Sequence, residues 1–586
     1  MKPIGVTGTG KLFTAIAVFG LVGCGGEDRP AKGDMGPENA VVEPESSDQP
    51  VPPPSGHDET AGIVFPGIVT DHEPDIGNGP PLTKSPPQDS EADAADPTGA
   101  ARDMSLPQDD ESSLTGMARV EAAARSLASK PYEPPPATPK AASQLDYDQF
   151  RRIQNLDGSI LWEGDLAGYR VHLDPSGYLF SHRIKLNIVE NGEVTEKSYA
   201  PGQFDFFDLP LDEEAKQALG YSGFRVLSAF NRAGKFDEVI SFRGASFFRA
   251  LGAGTLYGAS ARGISIGTAS SEGEEFPVFR EFWLEKPQAG DDGITLYALL
   301  DGKSVTGAFA FRVEPGPDTQ VHVQASIIPR RQLENFGIVP LTSMYYFSPH
   351  DAVKQRDDFR PAVHDSQGLS FRLRNGEWVW RPLSNPQQLQ MSILANDVPL
   401  GFGLMQRQRD FDAYSDIEAG YHLRPSVWVE PGQGWEKGEL TLVEIPTSNE
   451  YNDSIVVFWK PGKAWEKGAE HHFSYTLHWA LNPPAIPSVA AVSQTRSGQV
   501  PNSGNRLFVI DFEPTNTELL EAAEANVSAS AGEVSNVTIK HQHETGLTRL
   551  SFELDPGSAQ VVELRALLTR GGKAVTETWI YRWRAS

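Results

Sequence analysis

The chain has 586 residues with 78 acidic and 51 basic side chains, so its formal net charge is −27. Nucleic-acid binding needs a basic face, so this balance argues against a nucleic-acid partner, and it also disfavours direct binding to anionic lipid. A neutral polar substrate suits the charge better. The single cysteine excludes an internal disulfide, and the length is sufficient for more than one folded domain.

The first 24 residues have the pattern of an export signal. Lys2 and Lys11 precede an apolar run over 12–22 that is too short to span a bilayer. The run ends in Leu-Val-Gly-Cys, which resembles the bacterial lipobox, where lipid is attached to the cysteine sulfur. We therefore expect residues 1–23 to be a lipoprotein signal peptide and Cys24 to be a membrane anchor, and an ordinary signal peptide with an incidental cysteine is the alternative. Gly25 follows the cysteine in place of aspartate, which favours the outer over the inner membrane.

Residues 24–144 are rich in proline, acidic residues, serine and alanine, and they contain almost no aromatic residues. Such a segment buries too little apolar surface to offset its ordering entropy, so we predict a disordered acidic tether. Residues 117–130 have the composition of a short helix, although nothing in the sequence requires that helix to persist.

The composition changes at Leu145. From there to residue 482 the sequence alternates β-branched or aromatic residues with polar ones and is interrupted by glycine and proline, which predicts an all-β sandwich domain. Helical patterns are few, and the best covers Leu211–Gly220. Four stretches show the alternation most clearly: Gly293–Gly302, Gly307–Gly316, Val321–Pro329 and Gly438–Pro446.

A second boundary falls at 483–492, where three prolines prevent regular structure. The remaining residues, 493–586, have the length and strand pattern of a small immunoglobulin-like sandwich. Its predicted strands lie in Asn505–Phe512, Leu547–Leu554 and Ala559–Leu568.

Two acidic stretches of the large domain are candidates for chemistry. Asp365 lies between a histidine and a serine ahead of a glycine turn, while Glu450 and Asp453 lie in a polar loop that enters an apolar strand. A carboxylate at the rim of a strand can have its pKa raised by desolvation, as general acid catalysis requires, and two carboxylates flanking a sugar suffice for glycoside hydrolysis. Solvated loop residues are the more frequent explanation of such a pattern.

Other features are less specific. The aromatic residues of the large domain are either sugar-binding rings or core, and for any single ring the core is the commoner outcome. The histidines of 470–472 and 541–544 do not form a complete metal site, so we expect no metal and no cofactor. The aromatic set is Trp283, Tyr345, Tyr346, Trp378, Trp380, Tyr414, Tyr421, Trp428, Trp435 and Trp459.

Long motifs of the globular part resemble the periplasmic glucan biosynthesis protein G/D family, from about Leu145 to the C-terminus. The motifs are Gly223–Asn231, Asp237–Ala269, Gly273–Pro287, Pro340–Phe347, Asp357–Leu369, Gly376–Leu383, Gly401–Tyr414, Tyr421–Pro431 and Gly438–Gly462.

The resemblance implies a galactose-mutarotase-like β-sandwich followed by an immunoglobulin-like domain, and an activity on β-1,2-linked glucan. By position in the motifs it implies that Asp453 is the general acid and Asp365 the general base. It further implies that Tyr421, Arg424 and Glu450 bind substrate or relay protons.

We therefore expect an inverting endo-β-1,2-glucanase, lipid-anchored in the periplasm. The alternatives are a transglycosylase that cyclises or rearranges the glucan, and a non-catalytic glucan-binding scaffold for an inner-membrane glucan synthase. The lipobox and the acidic tether depart from the usual members of the family, which generally have a cleaved soluble signal.

Overall fold

The computed structural model describes residues 114–165, 168–351, 357–484, 486–514 and 517–585. The predicted signal peptide, Cys24 and most of the predicted tether lie outside the described residues. Their assignment stays a prediction.

The described ranges form five short α-helices, three 3-10 turns and 33 strands, which confirms the all-β prediction. The helices are α1 Leu114–Ala128, α2 Lys140–Ser143, α3 Tyr147–Phe150, α4 Glu213–Gln217 and α5 Thr517–Glu521, and the 3-10 turns are Pro201–Gln203, Phe411–Ala413 and Tyr421–Leu423. The strands up to the middle of the chain are β1 Gln154–Asn155, β2 Tyr169–Pro175, β3 Lys185–Glu190, β4 Glu193–Glu196, β5 Phe204–Asp205, β6 Tyr221–Arg232, β7 Lys235–Arg243, β8 Phe247–Ala250, β9 Ser260–Arg262, β10 Ile264–Ile266, β11 Val278–Glu285, β12 Ile294–Asp301, β13 Val305–Glu314, β14 Asp318–Pro329, β15 Phe336–Ser343 and β16 Tyr345–Phe347. The later strands are β17 Val363–His364, β18 Gly368–Arg372, β19 Trp378–Pro382, β20 Gln390–Ala395, β21 Gly401–Met405, β22 Ser426–Pro431, β23 Gly438–Glu444, β24 Ile455–Pro461, β25 His471–Ala480, β26 Val492–Gln499, β27 Arg506–Phe512, β28 Glu524–Ala529, β29 Glu533–Gln542, β30 Leu547–Asp555, β31 Val561–Arg570, β32 Lys573–Ala574 and β33 Thr578–Arg584.

Two large sheets build the main sandwich. One has ten strands in the order β2-β6-β7-β8-β9-β15-β24-β23-β20, with β10 paired to β15. The other has fifteen strands in the order β28-β31-β33-β19-β18-β21-β22-β25-β14-β13-β12-β11-β3-β4, with β32 paired to β31. Their inner faces meet in a core of phenylalanine rings, where Phe242 of the smaller sheet packs 5.4 Å from Phe282 and 5.1 Å from Phe311 of the larger sheet.

Helix α1 covers the outer face of the larger sheet, where the sequence had predicted tether. Side chains alternate along β13, so Phe309 faces the sandwich core while Ala308 and Ala310 face outwards. These small side chains leave room for the helix, and Val120 of α1 is fully buried against them. The prediction that the tether extends to residue 144 is therefore wrong for 114–144, because the folded domain already begins with α1.

The small C-terminal sandwich is joined to the large one through a shared sheet. Strand β33 pairs in parallel with β19, with Trp579 opposite Trp380, so one sheet runs through both units. Their rings belong to one apolar core that also contains Trp378 and Phe508. Between Ala480 and Val492, the described residues contain no strand longer than an isolated bridge, as the prolines predicted.

Candidate active site

The site is organised around the end of strand β15. Thr342 donates a hydrogen bond from Oγ1 to Asp453 Oδ2 at 3.2 Å, and the carbonyl of Met344 accepts from the Asp365 amide at 2.9 Å. Between these two residues of the chain, Ser343 donates a hydrogen bond from its Oγ to Ser366 Oγ at 2.8 Å. The two predicted catalytic carboxylates are therefore brought to the same strand end from two segments 88 residues apart in the chain (453 − 365).

The site occupies the face of the ten-stranded sheet that points away from the core. On β8, Phe248 packs into the core, so the next residue, Arg249, lies on the opposite face. Burial lowers the pKa of Arg249, while the nearby charges of Asp453 and Asp365 oppose that shift. The Arg249 charge thus faces both candidate carboxylates.

Asp453 has the electrostatics of a proton donor. Its side chain is half-buried two residues before β24. Burial raises its pKa to about 6, with the Arg249 charge opposing the rise and the Asp365 charge adding to it. A carboxyl group with this pKa keeps its proton at a pH where an ordinary aspartate is ionised.

Asp365 is held differently, because Arg424 forms a direct charged hydrogen bond to its Oδ1. Burial raises the pKa of Asp365, while the Arg424 and Arg249 guanidinium groups work against that rise. Both members of this pair are almost fully buried, with side-chain exposures of 5% for Arg424 and 7% for Asp365. Because Arg424 is bonded to Asp365 and not to Asp453, its charge favours the ionised form of Asp365 more directly than that of Asp453.

Tyr421 and Glu450 complete the predicted set. The Tyr421 hydroxyl donates to Glu450 Oε2 at 3.1 Å, and the Arg424 guanidinium lies 4.5 Å from the centre of the Tyr421 ring. Burial raises the pKa of Tyr421 above its ordinary value, so the hydroxyl is a donor at neutral pH. All five predicted side chains are thus brought together, while their catalytic roles remain predictions.

A buried amide, Gln406, positions the two segments that carry Asp365 and Tyr421. Its Nε2 donates to the carbonyls of His364 and Tyr421, at 2.9 and 3.0 Å, and its Oε1 lies 2.9 Å from His364 Nδ1. Burial lowers the pKa of His364 to about 3, so the ring is neutral and serves as a hydrogen-bonding partner. Gln406 lies within one of the recognised motifs, but the sequence carried no signal of its role because both partners are distant in the chain.

Arg360 is a second residue that the sequence did not single out. Its Nη1 donates to Glu450 Oε2 at 2.6 Å and to Asp416 Oδ2 at 2.9 Å, and it also pairs with Asp358 at 2.9 Å. These contacts raise the pKa of Arg360 further above its ordinary value, beginning with the hydrogen bond to Asp358. One guanidinium therefore joins three loops beside the candidate site.

The sequence left open whether the conspicuous tryptophans and tyrosines bind sugar or fill the core, and most of them fill the core, as expected for any single ring. Eight are buried, and only Tyr346 and Trp435 are partly exposed. Trp380 and Trp459, for example, are 1% and 0% exposed and fill core positions. The exposed rings in the loops beside the site are those of Phe359 and Tyr451.

The histidine clusters of 470–472 and 541–544 have partners within the protein. Within the described ranges, no group of three or more histidine, cysteine, aspartate or glutamate side chains is arranged to hold a metal. His471 stacks on Trp465 at 4.0 Å between ring centres, and His541 bonds Thr548 at 3.0 Å.

In the same ranges, no helix is long and apolar enough to cross a membrane.

A cavity of about 680 Å³ lies at the other end of β15, away from the carboxylates. It is lined by turns next to Gly302, Glu275 and Asn335. Glu275 is already bonded to the Ser304 amide and hydroxyl, at 2.9 and 2.5 Å. None of the predicted site residues lines this cavity.

The fold and the site define an all-β sandwich protein with paired carboxylates at the end of a central strand. The family model described as "Periplasmic glucan biosynthesis protein, MdoG" matches residues 116–583, and the chain belongs to this family. The family match begins within helix α1, in agreement with the early start of the folded domain.

Curated relatives agree with the family. "Glucans biosynthesis protein G" of Vibrio cholerae is 43% identical over 467 residues, covering 78% of this chain and 85% of the relative. The protein of that name from Shewanella frigidimarina is 42% identical over 464 residues, covering 78% and 83%. "Glucans biosynthesis protein G 1" of Shewanella oneidensis is 42% identical over 470 residues, covering 78% and 85%. A solved polysaccharide lyase, with 7% identity and a TM-score of 0.17, covers 49% of this chain and 35% of the lyase, which is too slight a likeness to support any inference.

Proposed function

We propose that the protein is a periplasmic inverting endo-β-1,2-glucanase in which Asp453 is the general acid and Asp365 the general base. One observation carries this proposal. Two carboxylates meet at the end of β15, and they differ in that Asp365 is bonded to the Arg424 guanidinium whereas Asp453 receives a neutral hydroxyl donor and has its pKa raised to about 6. Pairs of carboxylates in unlike environments are how glycosidases separate the acid from the base.

The reaction follows from these two protonation states. Asp453 gives its proton to the glycosidic oxygen as the bond from that oxygen to C1 breaks. A water molecule attacks C1 from the opposite face, and its proton passes to the ionised Asp365, so the configuration at C1 is inverted. The Tyr421 hydroxyl, fixed by Glu450, orients the water or carries its proton to Asp365. Proton transfer through such an intermediate allows the two carboxyl groups to stand further apart than direct transfer would.

The location belongs to the same proposal. The family name places its members in the periplasm, and the lipobox around Cys24 adds an anchor to a membrane. With an anchor at Cys24, the sandwich domain works on glucan in the periplasm, next to the anchoring membrane, for which the outer membrane is favoured. We expect Cys24→Ala to move the protein from the membrane fraction to the soluble periplasm, or to leave it unprocessed.

The test is incubation with linear β-1,2-glucan, followed by product size and by the anomeric configuration of the new reducing ends. We expect shorter chains that are first released as the α-anomer. Asp453→Asn and Asp365→Asn each remove one proton-transfer step, so we expect losses of about 10²- to 10⁴-fold with glucan binding retained. Asp157→Asn, an exposed carboxylate of the same type, is the matched control and keeps full activity.

The outcomes separate the alternatives. If the wild type leaves the size of the glucan unchanged, the hydrolase proposal is wrong and the scaffold alternative gains. Cyclic or elongated products would place the protein among transglycosylases. Undiminished activity of Asp453→Asn would remove that residue from the acid role.

A further inference from the structure

Three of the most exposed large apolar side chains of the described residues are Phe359, Ile417 and Tyr451. Their exposed fractions are 80%, 79% and 59%. Exposed apolar side chains scattered singly are common, but a cluster of them beside a functional site marks a binding surface. We refer to these three residues as the apolar rim.

The apolar rim is a cluster because one arginine gathers its three loops. Each rim residue is the chain neighbour of a member of the Arg360 ion-pair group, namely Arg360 itself, Asp416 and Glu450. Arg360 Nη1 lies 2.9 Å from Asp416 Oδ2 and 2.6 Å from Glu450 Oε2. The backbones of the three loops therefore converge on a single guanidinium, and each loop carries one exposed apolar side chain next to its ion-pair residue.

The apolar rim is continuous with the candidate active site. Glu450 Oε2 accepts hydrogen bonds from both Arg360 and the Tyr421 hydroxyl, at 2.6 and 3.1 Å. Tyr451, the next residue, is thus one peptide unit away from the proton-transfer set. The apolar rim therefore belongs to loops that adjoin the candidate active site.

The charge of the groups next to the apolar rim indicates what kind of molecule binds there. Arg360 is the single cation of the cluster, and it is matched by three carboxylates, from Asp358, Asp416 and Glu450, so the formal charge of the group is −2 by this count. A surface of this sign repels an anionic peptide or lipid head group. It suits a neutral polyol, whose hydroxyls donate to carboxylates and whose ring faces are apolar enough to stack on Phe359 and Tyr451.

We propose that the apolar rim is a distal glucan-binding subsite, in which Phe359 and Tyr451 stack on glucose residues remote from the scissile bond. This proposal rests on the proposed function for the identity of the polymer. The subsite adds affinity that only long chains can use, so it makes the protein select polymeric over short substrates. It places no group on the reacting atoms.

The test measures binding as well as turnover. Phe359→Ala and Tyr451→Ala are made in the Asp453→Asn background, and calorimetry gives the Kd for long linear β-1,2-glucan and for a short β-1,2-linked oligosaccharide. We expect each substitution to weaken binding of the long glucan by about 2- to 10-fold. Binding of the short oligosaccharide and the Tm remain unchanged.

The matched control is Phe207→Ala, which truncates a phenylalanine that is 50% exposed in the segment after β5. In the otherwise wild-type enzyme, we expect the rim variants to raise KM for long glucan with kcat unchanged, and the control to change neither. Equal Kd values for long glucan in the wild-type rim and both variants would overturn the proposal. Loss of affinity for the short oligosaccharide as well would also overturn it.

The two proposals fail in different ways. A wild-type protein that does not cleave the glucan but binds long chains through Phe359 and Tyr451 would contradict the hydrolase proposal and support the subsite. Cleavage that is indifferent to both substitutions would support the hydrolase and refute the subsite.

Discussion

Removing the Arg424 charge tests whether Asp365 acts as the base and Asp453 as the acid of the proposed reaction. Arg424→Gln leaves Asp365 buried without its direct cationic partner, while Asp453 keeps its hydrogen bond from Thr342. The protonated form of Asp365 becomes the favoured one, because a buried carboxylate without a counter-charge is costly. We expect the pKa of Asp365 to rise and the base to lose its charge within the working pH range.

The size of the effect follows from burial. Removing one partner of a buried ion pair costs about 3–5 kcal/mol, and one pKa unit corresponds to about 1.4 kcal/mol. The protonated form of Asp365 is therefore favoured in the variant by a factor of roughly 10² or more relative to the wild type, with the Arg249 charge limiting the change. The alkaline limb of the kcat/KM profile falls near pH 6, where the proposed acid Asp453 loses its proton. When Asp365 becomes easier to protonate, the acidic limb moves to higher pH until the two limbs overlap. Once the limbs overlap, the fraction of enzyme with Asp453 protonated and Asp365 ionised falls, so we expect the maximum of kcat/KM to drop by roughly 10-fold or more.

The assay is the pH profile of kcat/KM on linear β-1,2-glucan, together with the Tm of each variant. The wild-type rate should fall as the pH rises above about 6, because Asp453 then loses the proton that it donates. Arg424→Lys keeps the charge and should restore the acidic limb in part. Arg407→Gln, which breaks the buried pair with Glu577 between the two sandwiches, is the structural control. It should lower the Tm without moving either limb.

Two results would refute this reasoning. One is an Arg424→Gln profile whose limbs coincide with those of the wild type. The other is an Arg407→Gln profile that shifts as much as that of Arg424→Gln, since the limbs would then report general destabilisation and not the charge at Asp365.

Three predictions concern the scaffold. Burial alone would lower the pKa of His478, but its hydrogen bond to Asp318 and the nearby Glu430 carboxylate raise it to about 9. The resulting stabilisation is complete below pH 6.5 and is lost as the pH rises through about 9. The difference in Tm between the wild type and His478→Gln should therefore shrink over that range, and a constant difference would contradict the assignment. Val120→Asp should lower the Tm and expose α1 to protease, because it buries an unpaired carboxylate under the helix, whereas Arg119→Asp on the exposed face should do neither. Gly368→Ala should cost about 1–3 kcal/mol in chemical denaturation, because the new Cβ would lie 2.3 Å from the ring of Trp380, and a variant as stable as the wild type would show that the shared core yields there.

Much of the fold could be predicted from the sequence because the residue pattern of a strand is local. In β13, alternating large and small residues predict one face for the core and one for a neighbour, and the structure has that arrangement. The same pattern did not reveal which neighbour would cover the small face. Helix α1 was assigned to the tether because its own residues are weakly apolar and its stability comes from packing on Ala308 and Ala310.

The site could be located from its motifs but not assembled from them. Asp365 and Asp453 were identified by resemblance to a family, because motif residues keep their order along the chain. Arg360 and Gln406 were missed because each acts through partners far away in sequence, and no local pattern marks an arginine that will bind Glu450. The sequence could not tell which aromatic rings are exposed, because a ring looks alike in sequence whether it faces the core or the solvent.

The arginines around the site give the two candidate catalytic carboxylates different partners. Three acidic side chains lie together, and Arg424 is bonded to Asp365 while Arg360 is bonded to Glu450. The charge of Arg249 acts on both Asp453 and Asp365, and Asp453 also receives a hydrogen bond from the neutral hydroxyl of Thr342. Arg424 therefore favours the ionised form of Asp365 by direct contact, while burial raises the pKa of Asp453 to about 6 against the opposing charge of Arg249. A cation moved to the Thr342 position, as in Thr342→Lys, would remove this asymmetry by pairing Asp453, and we expect that variant to bind glucan but to lose its general acid at neutral pH.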